Sequence, residues 1–269
     1  MVVQDTSLKA SMNARIIGSG DDTVILAHGF GGDQSIWDKT VSCLAQQYSV
    51  MVFDWNFSGA TNDPSMFDPV KYSSYDAFAK DLIALLDEMN LSSSVFIGHS
   101  MSGMIGCLAS IKRPDLFKRL VLIGASPRYL NSEDYEGGFE KPQIEEIFLN
   151  IESNFQMWAT NFASLVVDAK DPPSVEQFSK SLGRMRPEVA LSLAKTVFCS
   201  DVLGSLDKVQ VPCTIIQTSN DIVVPNSVAY YMQKKINGKS TVEIIEADGH
   251  FPQLTKTKQL LDVLYRVMS

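Results

Sequence analysis

Three residues far apart in the chain carry the chemistry of a nucleophile, a general base and an acid to orient that base: Ser100, His250 and Asp221. Ser100 lies in "GHSMSG" (98–103), after the apolar run "SSVFI" and before the helix-like run "MIGCLASIK". A serine on a sharp turn between strand and helix can present its hydroxyl to a carbonyl carbon. The usual pattern for such a turn is G-x-S-x-G, whereas the last position here is Ser102. Ser102 adds only a hydroxymethyl group. Gly98, Gly103, Gly106, Ala109 and Ser110 supply the other small residues that a crowded turn and a closely packed helix require.

The chain has three histidines, at 28, 99 and 250. His99 adjoins Ser100 and points the wrong way to serve as its base. His28, in "AHGFGG", directly follows an apolar run. His250, in "EADGHFPQ", follows the last strand-like run and remains as the base. Asp221, in "QTSNDIVVP", follows "CTIIQ" and is favoured as the acid behind the imidazole. The order Ser…Asp…His is that of α/β-hydrolases. Asp248 is the rival, but a neighbour two residues away does not readily reach behind the ring. Asp54 ends a strand before the serine and reads as a structural or turn residue. Oxyanion donors are expected from the backbone N–H of Met101, next to the nucleophile, and of Phe30 in "HGFGG" (28–32). The Phe30 ring would help close the pocket.

These residues need a scaffold that gathers strand ends. Strand-like runs occur at 14–18, 23–28, 49–54, 94–98, 119–124, 213–217 and 241–246. Helical patterns lie near 38–46, 75–89, 101–112, 226–235 and 256–268. The alternation predicts an α/β fold, with a mostly parallel central sheet covered by helices on both faces. In such sheets, loops after strand C-termini converge on one edge. Between 127 and 200 the alternation stops. This stretch reads as several helices broken by "GG" (137–138), "DPP" (171–173) and Pro187, with large apolar residues that dock it or line a pocket. It is expected as a helical lid on a core formed by 1–126 and 201–269.

Composition narrows the alternatives. The 269 residues, 45% apolar, suffice for one sizeable core. A net charge of −8 gives no electrostatic case for nucleic acid or anionic membranes. The N-terminal 20 residues lack a basic start followed by an apolar stretch, so no signal peptide is expected. No apolar run approaches the about 20 residues of a membrane span. The four cysteines are scattered without a CxxC, as for reduced thiols in a cytosolic or nuclear protein. No dinucleotide or nucleotide-triphosphate motif appears, and no metal-ligand spacing. No cofactor or metal is expected.

Long stretches also resemble a known family. "HGFGGDQSIWD" (28–38), "FDWNFSGATN" (53–62), "GHSMSGMIGCLASIKRPDLF" (98–117), "LIGASPRYLNSEDYEGGFE" (122–140), "MRPEVALSLAKTVFCSD" (185–201) and "DGHFPQL" (248–254) carry the likeness. Together they resemble the plant strigolactone/karrikin receptor family of α/β-hydrolases, most closely its third, DWARF14-LIKE2 branch. A bacterial stress-signalling hydrolase that activates a phosphatase is a more distant likeness. In this family the turn usually ends in Ser, as at Ser102. Met101, Gly103 and "WNFSGA" depart from the two well-known branches.

The resemblance implies a slow serine hydrolase that binds a strigolactone- or karrikin-like butenolide and acts as a hormone receptor or related signalling protein. Ser100 would attack the lactone carbonyl, with His250, Asp221, Phe30 and Met101 in the roles given above. By match to the family's pocket positions, Tyr129, Phe139, Trp158, Phe162, Phe198 and Val223 would line the pocket, with His99 beside the nucleophile. The family further implies a monomer of cytoplasm and nucleus. Its partners would be an F-box protein with leucine-rich repeats and a repressor resembling a Clp-type chaperone. The alternative is a general carboxylesterase or lactonase without a signalling partner.

Overall fold

Valine- and isoleucine-rich runs without strict polar alternation require burial on both faces, and the sheet provides it. The computed structural model describes residues 7–61 and 63–268. The first six residues of the N-terminal stretch, Asn62 at the end of "FDWNFSGATN", and Ser269 lie outside the described residues. The strands are β1 (Arg15–Ile17), β2 (Thr23–Ala27), β3 (Ser49–Val52), β4 (Ser94–His99), β5 (Phe117–Ile123), β6 (Cys213–Asn220) and β7 (Ser240–Asp248). They form one sheet in the order β1-β3-β2-β4-β5-β6-β7. Only the edge pair β1–β3 is antiparallel. Every residue of β4 is buried.

The helices are α1 (Leu8–Ser11), α2 (Asp38–Leu44), α3 (Tyr75–Glu88), α4 (Met101–Lys112), α5 (Lys141–Val166), α6 (Pro172–Gly183), α7 (Pro187–Phe198), α8 (Asn226–Lys235), α9 (Pro252–Thr255) and α10 (Thr257–Met268). The strand order reverses beside β2, which pairs with β3 on one side and β4 on the other. Ala27 is in register with Gly98, so the loops that follow β2 and β4 emerge side by side. Ligand sites of open α/β sheets form at such a reversal.

Helices α5, α6 and α7 are inserted between β5 and β6. The stretch before them, 127–140, differs from the expected helix. It is a loop with short bridges from Leu130 to Phe139 and from Ser132 to Tyr135. Gly138 has φ +107, a conformation that excludes helix, and the Asn131 Oδ1 accepts both the Gly137 and Gly138 N–H groups. The other breakers instead start helices: Pro172 and Pro187 stand in the first turns of α6 and α7, where the missing N–H costs nothing. Within α5, Asn154 is non-helical (φ −156, ψ 81), and its Oδ1 accepts the Met157 N–H at 3.1 Å. The helix therefore stops and restarts with its own cap.

Polar contacts tie this insertion to the sheet. Ser181 donates to the Gly31 carbonyl at 2.9 Å, Arg184 pairs with the Asp33 carboxylate, and Thr196 donates to the Tyr72 carbonyl at 3.0 Å. Burial opposes ionisation of Asp33, yet hydrogen bonds from Ser35 and Ser181 outweigh it and hold the carboxyl below its usual range.

Candidate active site

The turn after β4 is strained in the way a nucleophile elbow requires. Ser100 has φ +56 and ψ −126, outside the regions open to most side chains. Its N–H donates to the Ile123 carbonyl at 2.7 Å, which ties the turn to β5. A Cβ on Gly98 would lie 2.6 Å from the Ser102 carbonyl carbon, so that position must be glycine. Ser102 is more than small. Its hydroxyl donates to the His28 carbonyl at 2.5 Å and accepts the Trp55 indole N–H at 2.9 Å. It thereby joins the serine turn to the loops after β2 and β3.

His250 follows β7 and Asp221 follows β6, strands that pair at Asn220 and Asp248. The His250 Nδ1 lies 2.6 Å from the Asp221 Oδ2. Asp221 also accepts the Gln217 amide N–H at 2.9 Å and the Val223 backbone N–H at 2.8 Å, so its side chain is held from three sides. Asp248 is turned elsewhere, toward Lys170 and Asn220. The His250 N–H donates to the Val166 carbonyl of α5 at 2.7 Å. Gly124, at φ +56, leaves room for the ring, since a Cβ there would sit 2.8 Å from the His250 Cε1.

His99 supports the imidazole from beneath. Its Nε2 meets the His250 carbonyl at 2.9 Å, and the two rings lie 4.8 Å apart. A carbonyl only accepts, so the His99 Nε2 carries the proton. Burial holds this imidazole well below its usual pKa, and the ring is neutral. His28 is likewise buried and lowered. Its Nε2 accepts the Trp55 N–H at 3.1 Å, which leaves the proton on Nδ1, toward the Gly29 carbonyl.

Ser100 and His250 line one enclosed chamber. The His250 Nε2 has no hydrogen-bond partner, and the Ser100 Oγ lies 3.4 Å from the Tyr129 hydroxyl. The Ser100 hydroxyl and the His250 imidazole thus share a cavity without a closed hydrogen bond, an arrangement common in serine hydrolases before substrate enters. Two backbone donors stand by. Met101 is the first residue of α4, so its N–H has no intrahelical acceptor. Phe30 is the second residue of a turn closed by Gly32 N–H to the Gly29 carbonyl, with Gly31 at φ +74, and this turn leaves the Phe30 N–H unused.

The chamber holds only about 20 Å³, room for about one water. Of the pocket residues expected from sequence, His99, Tyr129, Phe162, Phe198 and Val223 line it. Phe139 and Trp158 line instead an outer groove of about 410 Å³ between the two halves of α5. Phe162, Val166 and Val223 belong to both spaces and form the partition between them. Sequence reasoning missed Val166, Val197 and Phe251 in the chamber wall, whereas Phe178 is one of the large apolar residues of 127–200 expected to dock the insertion or line a pocket. Only Phe251, beside His250, carried a positional signal. Among the described residues no cluster of His, Cys and carboxylates could hold a metal, and no helix is long and apolar enough to cross a membrane.

Comparison with known proteins accords with this geometry. Residues 22–257 match the alpha/beta hydrolase fold family. The chain is 43% identical to strigolactone esterase D14 of Arabidopsis thaliana, over 96% of each chain. It is 43% identical to karrikin insensitive 2 receptor IA of Petunia hybrida, over 97% of this chain and 96% of that one. A hydrolase from Oleispira antarctica superposes with a TM-score of 0.93 at 33% identity, covering 97% of this chain and 96% of the other. With its sheet order, its strained serine turn and its His–Asp pair, the chain belongs to the alpha/beta hydrolase family.

Proposed function

We propose that this protein is a serine hydrolase that binds and slowly hydrolyses a strigolactone- or karrikin-like butenolide, as a plant hormone receptor or related signalling protein. One observation carries the reading: Ser100, strained at φ +56, shares a buried chamber with the unpaired Nε2 of an imidazole held by Asp221. The ligand class rests on likeness to proteins named strigolactone esterases and karrikin insensitive receptors. Identity is 43–44% to both groups, which supports a branch distinct from either.

In the proposed reaction the Ser100 hydroxyl adds to the ligand's carbonyl carbon and its proton passes to the His250 Nε2. The carbonyl oxygen becomes an oxyanion facing the Phe30 and Met101 N–H groups. The imidazolium, stabilised by Asp221, returns the proton to the leaving oxygen as the tetrahedral intermediate collapses to an acyl-enzyme. Water, deprotonated by His250, then releases the acid. A chamber of about 20 Å³ admits a ring only after the insertion yields, so turnover is gated by that motion. The finer proposals are recruitment of an F-box leucine-rich-repeat protein and a Clp-like repressor, and residence in cytoplasm and nucleus.

The test is turnover of a fluorogenic butenolide by wild type and Ser100→Ala, with ligand-dependent capture of an F-box partner. Slow wild-type turnover, none in Ser100→Ala, and capture only with ligand support the reading. Rapid turnover of many simple esters without partner capture would replace it by a general carboxylesterase. Unchanged turnover in Ser100→Ala would remove the serine mechanism.

A further inference from the structure

The chamber wall carries one polar group that the hydrolysis proposed above leaves idle, the phenol of Tyr129. Tyr129 is 1% exposed. Among the described residues its hydroxyl has a single hydrogen-bond partner, the Ser100 Oγ, at 3.4 Å. A buried hydroxyl needs a partner, and a contact of that length is a poor one. The side chain is nevertheless held firmly. The Phe139 N–H donates to the Tyr129 carbonyl at 3.0 Å. The ring packs edge-on against Phe139 and Phe198, with centroids 6.4 and 5.4 Å away.

Sheet order tells which atom of a ligand this hydroxyl meets. Ser100 follows β4, which has β2 on one flank and β5, β6 and β7 on the other. Phe30, an expected oxyanion donor, comes from the loop after β2. Tyr129 comes from the stretch after β5, and His250 from the turn after β7. A carbonyl carbon bonded to Ser100, with its oxygen toward Phe30 and Met101, therefore has its leaving oxygen on the flank of Tyr129 and His250. That oxygen must in any case reach the His250 Nε2, which supplies its proton. Burial, and then the charge of Asp221, push the phenol above its usual range against the pull of Ser100. It keeps its proton and faces the ligand as a donor.

We propose that Tyr129 is a further catalytic residue, whose phenolic O–H donates a hydrogen bond to the leaving oxygen as the tetrahedral intermediate collapses. This assignment rests on the serine mechanism proposed above. The bond between the carbonyl carbon and the leaving oxygen breaks, and its electron pair stays on that oxygen. The His250 imidazolium gives the oxygen its proton, and Tyr129 keeps its own throughout. The leaving oxygen has lone pairs for both partners. In the resting chamber the phenol faces the Ser100 Oγ. Once Ser100 is bonded to the ligand, the phenol turns to the departing oxygen. Its contribution is greatest where the leaving alcohol is weakly acidic and needs the most help to depart.

The test is kcat/KM of wild type, Ser100→Ala and Tyr129→Phe on para-nitrophenyl, phenyl and trifluoroethyl acetate. The three share an acyl group and differ in the acidity of the leaving alcohol. Tyr129→Phe should lose about 3-fold on the para-nitrophenyl ester and about 30-fold or more on the trifluoroethyl ester. Its melting temperature should not fall, because the ring and its packing remain and the lost hydrogen bond is long. A merely structural role would not follow the leaving group. Equal loss on all three esters would move the phenol to the oxyanion and overturn the proposal. Wild-type values on all three would make Tyr129 a packing residue and overturn it as well. With Ser100→Ala inactive, either result leaves the serine mechanism standing. Turnover by Ser100→Ala would remove that mechanism and this assignment together.

Discussion

The Trp55 indole N–H donates to the Ser102 hydroxyl at 2.9 Å, across 47 residues of chain. The contact explains why a serine stands where the commoner elbow has glycine. Ser102→Gly restores that commoner pattern, yet it removes this bond and the one to the His28 carbonyl, and it loosens the first turn of α4. The variant should lose about 1–3 kcal/mol of stability. Thermal unfolding checks this, and an unchanged melting temperature would show that the two bonds contribute nothing net.

Asp221 accepts three hydrogen bonds, one of them from the imidazole, whereas Asp248 faces Lys170 and Asn220. Asp221→Asn should lower kcat for ester hydrolysis by about 10⁴-fold through loss of the correct tautomer. Asp248→Asn should stay near wild type. The reverse ranking in steady-state assays would assign the orienting role to Asp248.

Gly124 is positioned by φ +56 and by the edge of the imidazole, 2.8 Å from where a Cβ would be. Gly124→Ala should displace the ring and cut kcat on the order of 10²-fold, with the fold intact by circular dichroism. Wild-type turnover would mean that the ring has slack the structure does not suggest.

His28 and His99 give a pH dependence with a definite sign. Burial lowers both imidazoles from 6.5, His99 far below it. As pH falls through 6.5 the unfolded chain takes up protons that the folded chain refuses. Stability is then complete above 6.5 and declines below it, until the lowered folded values are reached. Each group contributes a slope of about 1.4 kcal/mol per pH unit in that window. Melting temperature should fall between about pH 7 and pH 5.5, and His99→Gln should flatten the fall. A flat wild-type profile contradicts two neutral imidazoles.

Phe162 stands in the partition between the chamber and the groove. Phe162→Ala should merge the two spaces. The ratio of kcat/KM for bulky over small butenolide esters should then rise about 10-fold, at a cost in stability of about 3 kcal/mol. An unaltered ratio places the entry route elsewhere.

Much of this architecture is legible in the sequence because it follows from period and position. Runs such as "TVILA" and "SVFIGH" announce strands buried on both faces, and the residues just beyond them reach one edge of the sheet. Ser100, Asp221 and His250 could be placed together on that ground alone. Direction and distance between remote segments could not. Nothing local says that Ser102 meets Trp55, that His99 supports the carbonyl of His250, or that Trp158 faces the groove while Phe162 faces both spaces. The glycines at 137–138 looked like a break between helices because a sequence shows the break and not the loop around it. Asn131, which binds both of their N–H groups, is the cause.

The interruption at Asn154 has a mechanical consequence. A continuous 26-residue rod would bend only by breaking backbone bonds in its middle, whereas α5 already comes as two levers, the second fastened at its start by the Asn154 amide oxygen. Each arm can swing without unravelling the other. The C-terminal arm ends at Val166, whose carbonyl holds the backbone of His250. Movement of that arm is therefore felt directly at the backbone of His250, and a surface event on the insertion has a short route to the chamber beneath it.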